Sequence, residues 1–334
     1  MTGGSISKAL VTGAAGFIGF HVCRALLDRG VAVLGIDNLN DYYPPALKRA
    51  RLAELEGRAG FAFVEADIAD HQRIASLPGT ADADVVIHLA AQAGVRHSIT
   101  APFDYVASNL TGHLSILELV RHSPKKPLLV YASSSSVYGA NTKTPFSESD
   151  AVDRPVSLYA ATKRADEMMS EAYARLYGIA QIGLRFFTVY GPWGRPDMAY
   201  WSFSENILAG KPIPVFNNGA LKRDFTYIDD IVKGVLACAT APTHFSGEAP
   251  HRIYNIGNNK PVELIRFIET IEAALGKKAV MDFKPMQPGD VHETYADINA
   301  IAADYGFAPS TSLEDGIARF VAWFKEYRAR AASA

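Results

Sequence analysis

The feature that most constrains this chain is a short apolar run, Ala9–Thr12, that passes directly into Gly13, Gly16 and Gly19 and then into an amphipathic stretch, Phe17–Asp28. Glycine at those places permits a tight turn and lets backbone N–H groups come close to a pyrophosphate. It also allows the following helix to pack closely on the strand. The helix amino terminus, from Phe17 and Ile18, then offers its partial positive charge to the phosphates. A glycine triplet alone is a weak signal; between a strand and a helix it marks the opening unit of a dinucleotide-binding fold.

The chain continues in the same rhythm. Ala32–Ile36, Ala62–Glu65, Val85–Leu89, Leu128–Ala132 and Ile179–Phe186 read as strands, nearly all apolar, as expected of parallel strands covered on both faces. Pro45–Leu55, Phe103–Val120 and Leu158–Tyr177 read as helices between them. The alternation predicts an α/β protein with a doubly wound, Rossmann-type parallel sheet. After Gly191 proline and glycine become frequent and the alternation breaks. Residues 1–190 are therefore expected to form the dinucleotide-binding domain. Residues 191–334 would be mainly a smaller substrate lobe, with segments that return to the large domain.

A formal net charge of −2 gives no reason to expect a nucleic-acid partner. No apolar run approaches the ~20 residues that span a bilayer. Cys23 and Cys238, far apart, read as reduced buried thiols, and the histidines lack metal-ligand spacing, so no metal is expected. The amino terminus shows no secretory pattern, and the expectation is a cytoplasmic protein.

Asp37 closes the second strand, where an acidic side chain accepts both ribose hydroxyls and repels a 2′-phosphate; this favours NAD over NADP. Tyr159 and Lys163 stand four residues apart, on one face of a helix. A phenol titrates near 10 when unperturbed and is a poor base at neutral pH. A neighbouring ammonium and a positive nicotinamide ring both favour phenolate. Upstream lies the serine-rich strand end Ala132–Gly139, and ligands of open α/β sheets bind beyond the carboxyl ends of strands. The hydroxyls of Ser134, Ser135 and Ser136 should face the substrate.

The GxxGxxG spacing, the Tyr-Ala-Ala-Thr-Lys motif and the serine run resemble the extended short-chain dehydrogenase/reductases. Five further segments narrow this: residues 37–43 (DNLNDYY), 89–96 (LAAQAGVR), 184–199 (LRFFTVYGPWGRPDMA), 222–231 (KRDFTYIDDI) and 287–291 (QPGDV). With them nearly the whole chain is similar to the sugar-nucleotide epimerase/dehydratase family, most of all its UDP-glucuronate 4-epimerases of polysaccharide synthesis. That resemblance implies tightly held NAD, contacted by Asn38, Asp67, Ile68, Leu89, Ala90 and Ala91 besides the glycines and Asp37. It implies that Tyr159 takes the C4 hydroxyl proton while the C4 hydride passes to NAD, with Ser134 hydrogen-bonded to the reacting oxygen. It also implies a homodimer built through a four-helix bundle.

The reaction that follows depends on neighbouring acids. Dehydratases of the family resemble one another in carrying Asp-Glu where this chain has Ser135-Ser136, and decarboxylases carry Glu at the place of Ser136. Two serines leave reduction of the ketone from the opposite face, which inverts C4. A 4-keto uronate loses CO₂ easily, so its carboxylate must be held out of alignment. Ser135, Ser136, Thr188 and Arg195 are the candidate holders. On the nucleotide side the resemblance assigns Arg223 to the diphosphate, Asp290 to the uridine ribose, Val215 and Phe216 to uracil, and Arg96 to a second substrate contact. UDP-glucose or UDP-N-acetylglucosamine epimerisation and uronate decarboxylation are the alternatives.

Overall fold

In β1 (Lys8–Thr12) successive side chains go to opposite faces: Ala9 and Val11 into one apolar core, Leu10 into another. This double burial is what a parallel strand between two helix layers requires. The computed structural model describes residues 6–245, 247–286 and 292–333. The remaining strands are β2 (Ala32–Asp37), β3 (Phe61–Glu65), β4 (Val85–His88), β5 (Leu128–Ser134), β6 (Gln181–Phe186), β7 (Thr188–Tyr190), β8 (Pro212–Phe216), β9 (Lys222–Tyr227), β10 (His251–Ile256), β11 (Pro261–Glu263), β12 (Val280–Lys284) and β13 (Glu293–Thr294).

Seven of them form one parallel sheet in the order β10-β6-β5-β4-β1-β2-β3. The chain winds outward in both directions from β1, so the order reverses between β1 and β4. That switch point opens a crevice at the carboxyl ends of the strands, where ligands of such sheets bind. β10 joins the large sheet from far along the chain, beside β6. A second sheet gathers β11, β9 and β13, with β7 also on β9, and β8 pairs with β12. The closing helix, Leu313–Ser333, brings Phe320, Trp323 and Phe324 against Trp201, an aromatic layer under the second sheet.

Two details differ from the sequence reading. The expected Phe103–Val120 helix is three pieces, Pro102–Tyr105, a π turn Val106–Thr111, and Gly112–His122. The wide turn lets Asn109 leave the helix face: its Oδ1 accepts the Gln92 N–H at 2.8 Å, and its Nδ2 donates to Thr162 at 3.0 Å. Strand β5 runs on to Ser134, two residues beyond its apolar stretch, because its polar end still pairs with β6.

Candidate active site

The glycine turn folds tightly back on the sheet. The N–H groups of Gly13 and Ala14 both donate to the Ile36 carbonyl, at 2.7 and 3.1 Å, and Gly13 has φ +72°. A Cβ on Gly13 would lie 2.7 Å from the Ala90 nitrogen, and one on Gly19 would overlap the Gly13 carbonyl. The helix Phe17–Leu27 starts with Gly16 at its N-cap, with no side-chain cap and no acidic residue in its first turn. Its first N–H groups thus meet a bare concavity, the arrangement that suits a phosphate. Asp37, buried, steadies the turn through Oδ2, which accepts the Ala15 N–H at 3.2 Å, while Oδ1 accepts that of Leu39 at 2.8 Å. Burial holds its carboxyl above the usual range, against the smaller downward pull of Lys48.

A cavity of about 430 Å³ runs from this turn along the strand ends, a volume in the range of small-ligand sites. Its wall contains Gly13, Gly16, Phe17, Ile18, Gly19, Asp37, Asn38, Ile68, Leu89, Ala90 and Ala91 on one side. Ser134, Ser135, Ser136, Tyr159, Lys163, Thr188 and Arg195 line the other. The chain thus brings two expected clusters, far apart in sequence, into one concavity. Asp67 is exposed and outside this wall, its Oδ2 accepting from Asn38 Nδ2 at 3.0 Å.

Tyr159 and Lys163 lie on the helix Leu158–Tyr177, whose start is capped by Ser157: its Oγ accepts the Ala160 N–H at 3.1 Å. Tyr159 is half-buried, edge-on to Tyr105 with ring centroids 6.0 Å apart. Lys163 is only 3% exposed, and its Nζ donates to the Ala132 carbonyl and to Asp166 Oδ2, both at 3.0 Å. Burial raises the Asp166 carboxyl to about 6 despite the pull of Lys163. Ser134 Oγ accepts the Ser136 N–H at 3.1 Å, which turns the chain out of β5 at the cavity floor.

Within the wall, Thr188 opens β7, and Arg195 lays its guanidinium on Asp197, with Nε at 3.0 Å and Nη2 at 2.7 Å. Arg96, Val215, Phe216 and Arg223, also expected at the substrate, lie outside this wall. Arg96 sits over the Phe216 ring, 5.3 Å from its centroid, so two segments with no sequence proximity meet. Val215 is fully buried in β8. Arg223 Nη1 donates to the Lys222 carbonyl at 2.9 Å. Asp290 falls outside the described residues. Sequence reasoning gave no role to Asn40, Tyr42, Lys48, Gln92, Phe187 and Met198, which also line the cavity. Lys48 donates to Asn40 at 2.6 Å and Tyr42 to Asp197 at 3.1 Å. Lys48 is buried on a helix that reads as basic and polar, and no local spacing announces that.

A Rossmann sheet with a glycine turn, a serine-lined strand end and a tyrosine–lysine helix around one cavity defines a class, and comparison with known proteins places the chain within it. Residues 9–257 match the NAD dependent epimerase/dehydratase family, and the chain belongs to that family. It is 49% identical to UDP-glucuronate 4-epimerase 1 of Arabidopsis thaliana, over 97% of this chain and 78% of that one. It is 45% identical to a probable UDP-glucuronate 4-epimerase of Rhizobium meliloti, over 97% and 98% of the two. The crystal structure of UDP-glucuronic acid 4-epimerase from Bacillus cereus, in complex with UDP-glucuronic acid and NAD, superimposes with a TM-score of 0.88. That chain is 35% identical, over 96% of this chain and 99% of its own.

Proposed function

We propose that this chain is an NAD-dependent isomerase that inverts C4 of UDP-glucuronate to give UDP-galacturonate through a 4-keto intermediate. The observation that carries the reading is that Ser134, Tyr159 and Lys163 share one cavity with the glycine turn. Names of relatives sharing nearly half its residues support the uronate. NAD fits the residues present: the uncapped helix start and the close-packed glycines suit a pyrophosphate, and Asp37 suits a ribose. When bound, it supplies the acceptor and then the donor of the C4 hydride.

The chain's own groups handle the proton and the geometry. Tyr159 takes the proton of the C4 hydroxyl as the C4–H bond breaks and returns it when the hydride comes back to the other face. Ser134 hydrogen-bonds the same oxygen, and Lys163 supplies a fixed positive charge beside the phenol. Ser135 and Ser136 stand where elimination or decarboxylation would need an acid, so the ketone is reduced. Thr188 and Arg195 hold the uronate carboxylate, Arg195 through charge-assisted contacts. Arg223, Asp290, Arg96, Val215 and Phe216 hold the UDP end.

The purified enzyme should convert UDP-glucuronate to UDP-galacturonate with no CO₂ release and no net change in NADH absorbance; NMR of the product reads the C4 configuration. Turnover of UDP-glucose or UDP-N-acetylglucosamine with none of the uronate would defeat the substrate assignment, and CO₂ release would make the enzyme a decarboxylase. The same reading includes a cytoplasmic homodimer supplying polysaccharide synthesis. Phe103, Met168 and Leu176, 83%, 60% and 70% exposed on the Pro102–His122 and Leu158–Tyr177 segments, support such a face. Leu176→Asp should give a monomer by sedimentation, and a wild-type monomer would end that part.

A further inference from the structure

The helix that carries Tyr159 and Lys163 also buries two carboxylates, and they are partnered in opposite ways. Glu167 is fully engaged: Oε1 accepts from Ser133 Oγ at 2.6 Å and Arg185 Nε at 2.8 Å, and Oε2 from Arg185 Nη2 at 2.9 Å and Arg164 Nη1 at 3.0 Å. Asp166, 1% exposed, has one side-chain partner among the described residues, Lys163. Its Oδ1 is buried with no hydrogen bond from any described residue. A buried charge with an orphan oxygen is costly, and an uncharged residue of the same shape there is often neutral or stabilising. Packing therefore does not account for Asp166. What a carboxylate does change is the charge one helical turn behind the cavity wall.

The other groups around it are fixed in charge. Glu167 lies on the same helix, bound to Arg185 of β6. Tyr131 of β5 faces it, and burial drives that phenol well above its usual range. His113, from the Gly112–His122 helix, reaches the Asp166 carbonyl, and His88, at the end of β4, faces Lys163. Burial holds both imidazoles neutral, His88 down to about 3. Around neutrality Asp166 is the group in this cluster whose charge changes, since burial has raised it to about 6.

We propose that Asp166 is a positioning residue for Lys163 that also offsets its charge, so that the pH range of activity is set by a carboxylate behind the site. The inference rests on the reading of Tyr159 and Lys163 as the proton-transfer pair. The Ala132 carbonyl and Asp166 hold the ammonium from two sides. The ionised carboxylate cancels part of the field that Lys163 exerts on the phenol, and an uncharged residue lets the whole field act. Asp166→Asn keeps an acceptor for Nζ and removes only the charge, whereas Asp166→Ser shortens the tether as well.

The test is the pH profile of kcat/KM for UDP-glucuronate, measured on the NAD-loaded enzyme and both variants, with Tyr159→Phe alongside. In Asp166→Asn the acid limb should move down by about one pH unit, as expected for removal of one nearby opposing charge, with a plateau reduced severalfold. Asp166→Ser should shift the limb the same way on a lower plateau, and it carries the test if the asparagine variant does not fold. A purely structural role would lower activity at every pH and leave the limb in place, and that result in both variants overturns the inference. Turnover surviving in Tyr159→Phe would instead defeat the proton-transfer reading itself. An inactive Tyr159→Phe with an unmoved limb defeats only the role of Asp166.

Discussion

The two ends of the cavity are built on different principles. At the cofactor end, β1, the glycine turn and the Phe17–Leu27 helix are contiguous in sequence, and close backbone packing makes the surface. At the substrate end, Ser134 ends β5, Tyr159 sits on a distant helix, Thr188 opens β7 and Arg195 lies in the loop beyond it. A buried arginine ties the two ends together. All the donors of Arg51 are used: Nη1 to the Ala15 carbonyl of the glycine turn and to the Tyr43 hydroxyl, Nε and Nη2 to the Trp193 carbonyl, and Nη2 also to that of Gly194. The cofactor end therefore fails by backbone clash and the substrate end by loss of individual side-chain contacts.

The contrast is broken most severely at Gly19. A side chain there meets the Gly13 carbonyl, which is itself held in the turn, so neither group can give way. Gly19→Val should abolish retained NAD and yield little folded protein, read by the nicotinamide absorbance of the purified enzyme and its circular dichroism. A folded, NAD-loaded Gly19→Val protein would show that the turn is not the close-packed element described here.

A smaller effect separates the ends by acid. His21 on the Phe17–Leu27 helix and His88, bonded to Thr12 of β1, are buried at the cofactor end, and His113 is buried against the Tyr159 helix; burial holds His21 and His88 down to about 3 and His113 well below its usual value. The unfolded chain binds these protons near 6.5, so the stability they contribute is present above that pH and lost below it. Between pH 6.5 and 5 His21 and His88 each cost about 2 kcal/mol, and His113 acts in the same direction. Asp166 works the other way, its folded-state value being raised, and returns roughly 1 kcal/mol as pH falls through 6. A net loss of about 3 kcal/mol from His21, His88 and Asp166, deepened by His113, should lower the urea midpoint markedly between pH 7 and pH 5. An unchanged midpoint would mean that these imidazoles gain protons without unfolding.

The same contrast explains what could be read in advance. The parallel sheet was legible because doubly covered strands are apolar throughout, and the glycine turn because its reason is local. Tyr159 and Lys163 were legible as a four-residue spacing on a helix. Lys48 and Arg51 were not: both sit on a segment, Pro45–Ala53, that reads as a basic helix, yet Arg51 is buried under the 193–194 loop from the far half of the chain and Lys48 is buried with its ammonium on Asn40. Asp166 was equally hidden, since an acidic residue three places after a lysine is the ordinary pattern of an exposed ion pair. Burial, which no spacing encodes, turns that pattern into a charge beside the site.

Arg195 gives the finest test of the comparison, because two readings of it differ only in which substrate is affected. Its guanidinium lines the cavity but is laid on Asp197, and Tyr42 donates to the same carboxylate at 3.1 Å. If Arg195 holds the uronate carboxylate, it must share its donors between Asp197 and the substrate, which its five N–H groups allow. Arg195→Gln then removes a charge-assisted contact worth roughly 1.5–3 kcal/mol, so kcat/KM for UDP-glucuronate should fall by about 10- to 100-fold, while any turnover of UDP-glucose, which carries no carboxylate, should change little. Should both substrates suffer equally, Arg195 is a lobe-boundary arginine whose work is to pin Asp197 and Tyr42. The uronate would then be recognised by the hydroxyls of Ser135, Ser136 and Thr188 alone.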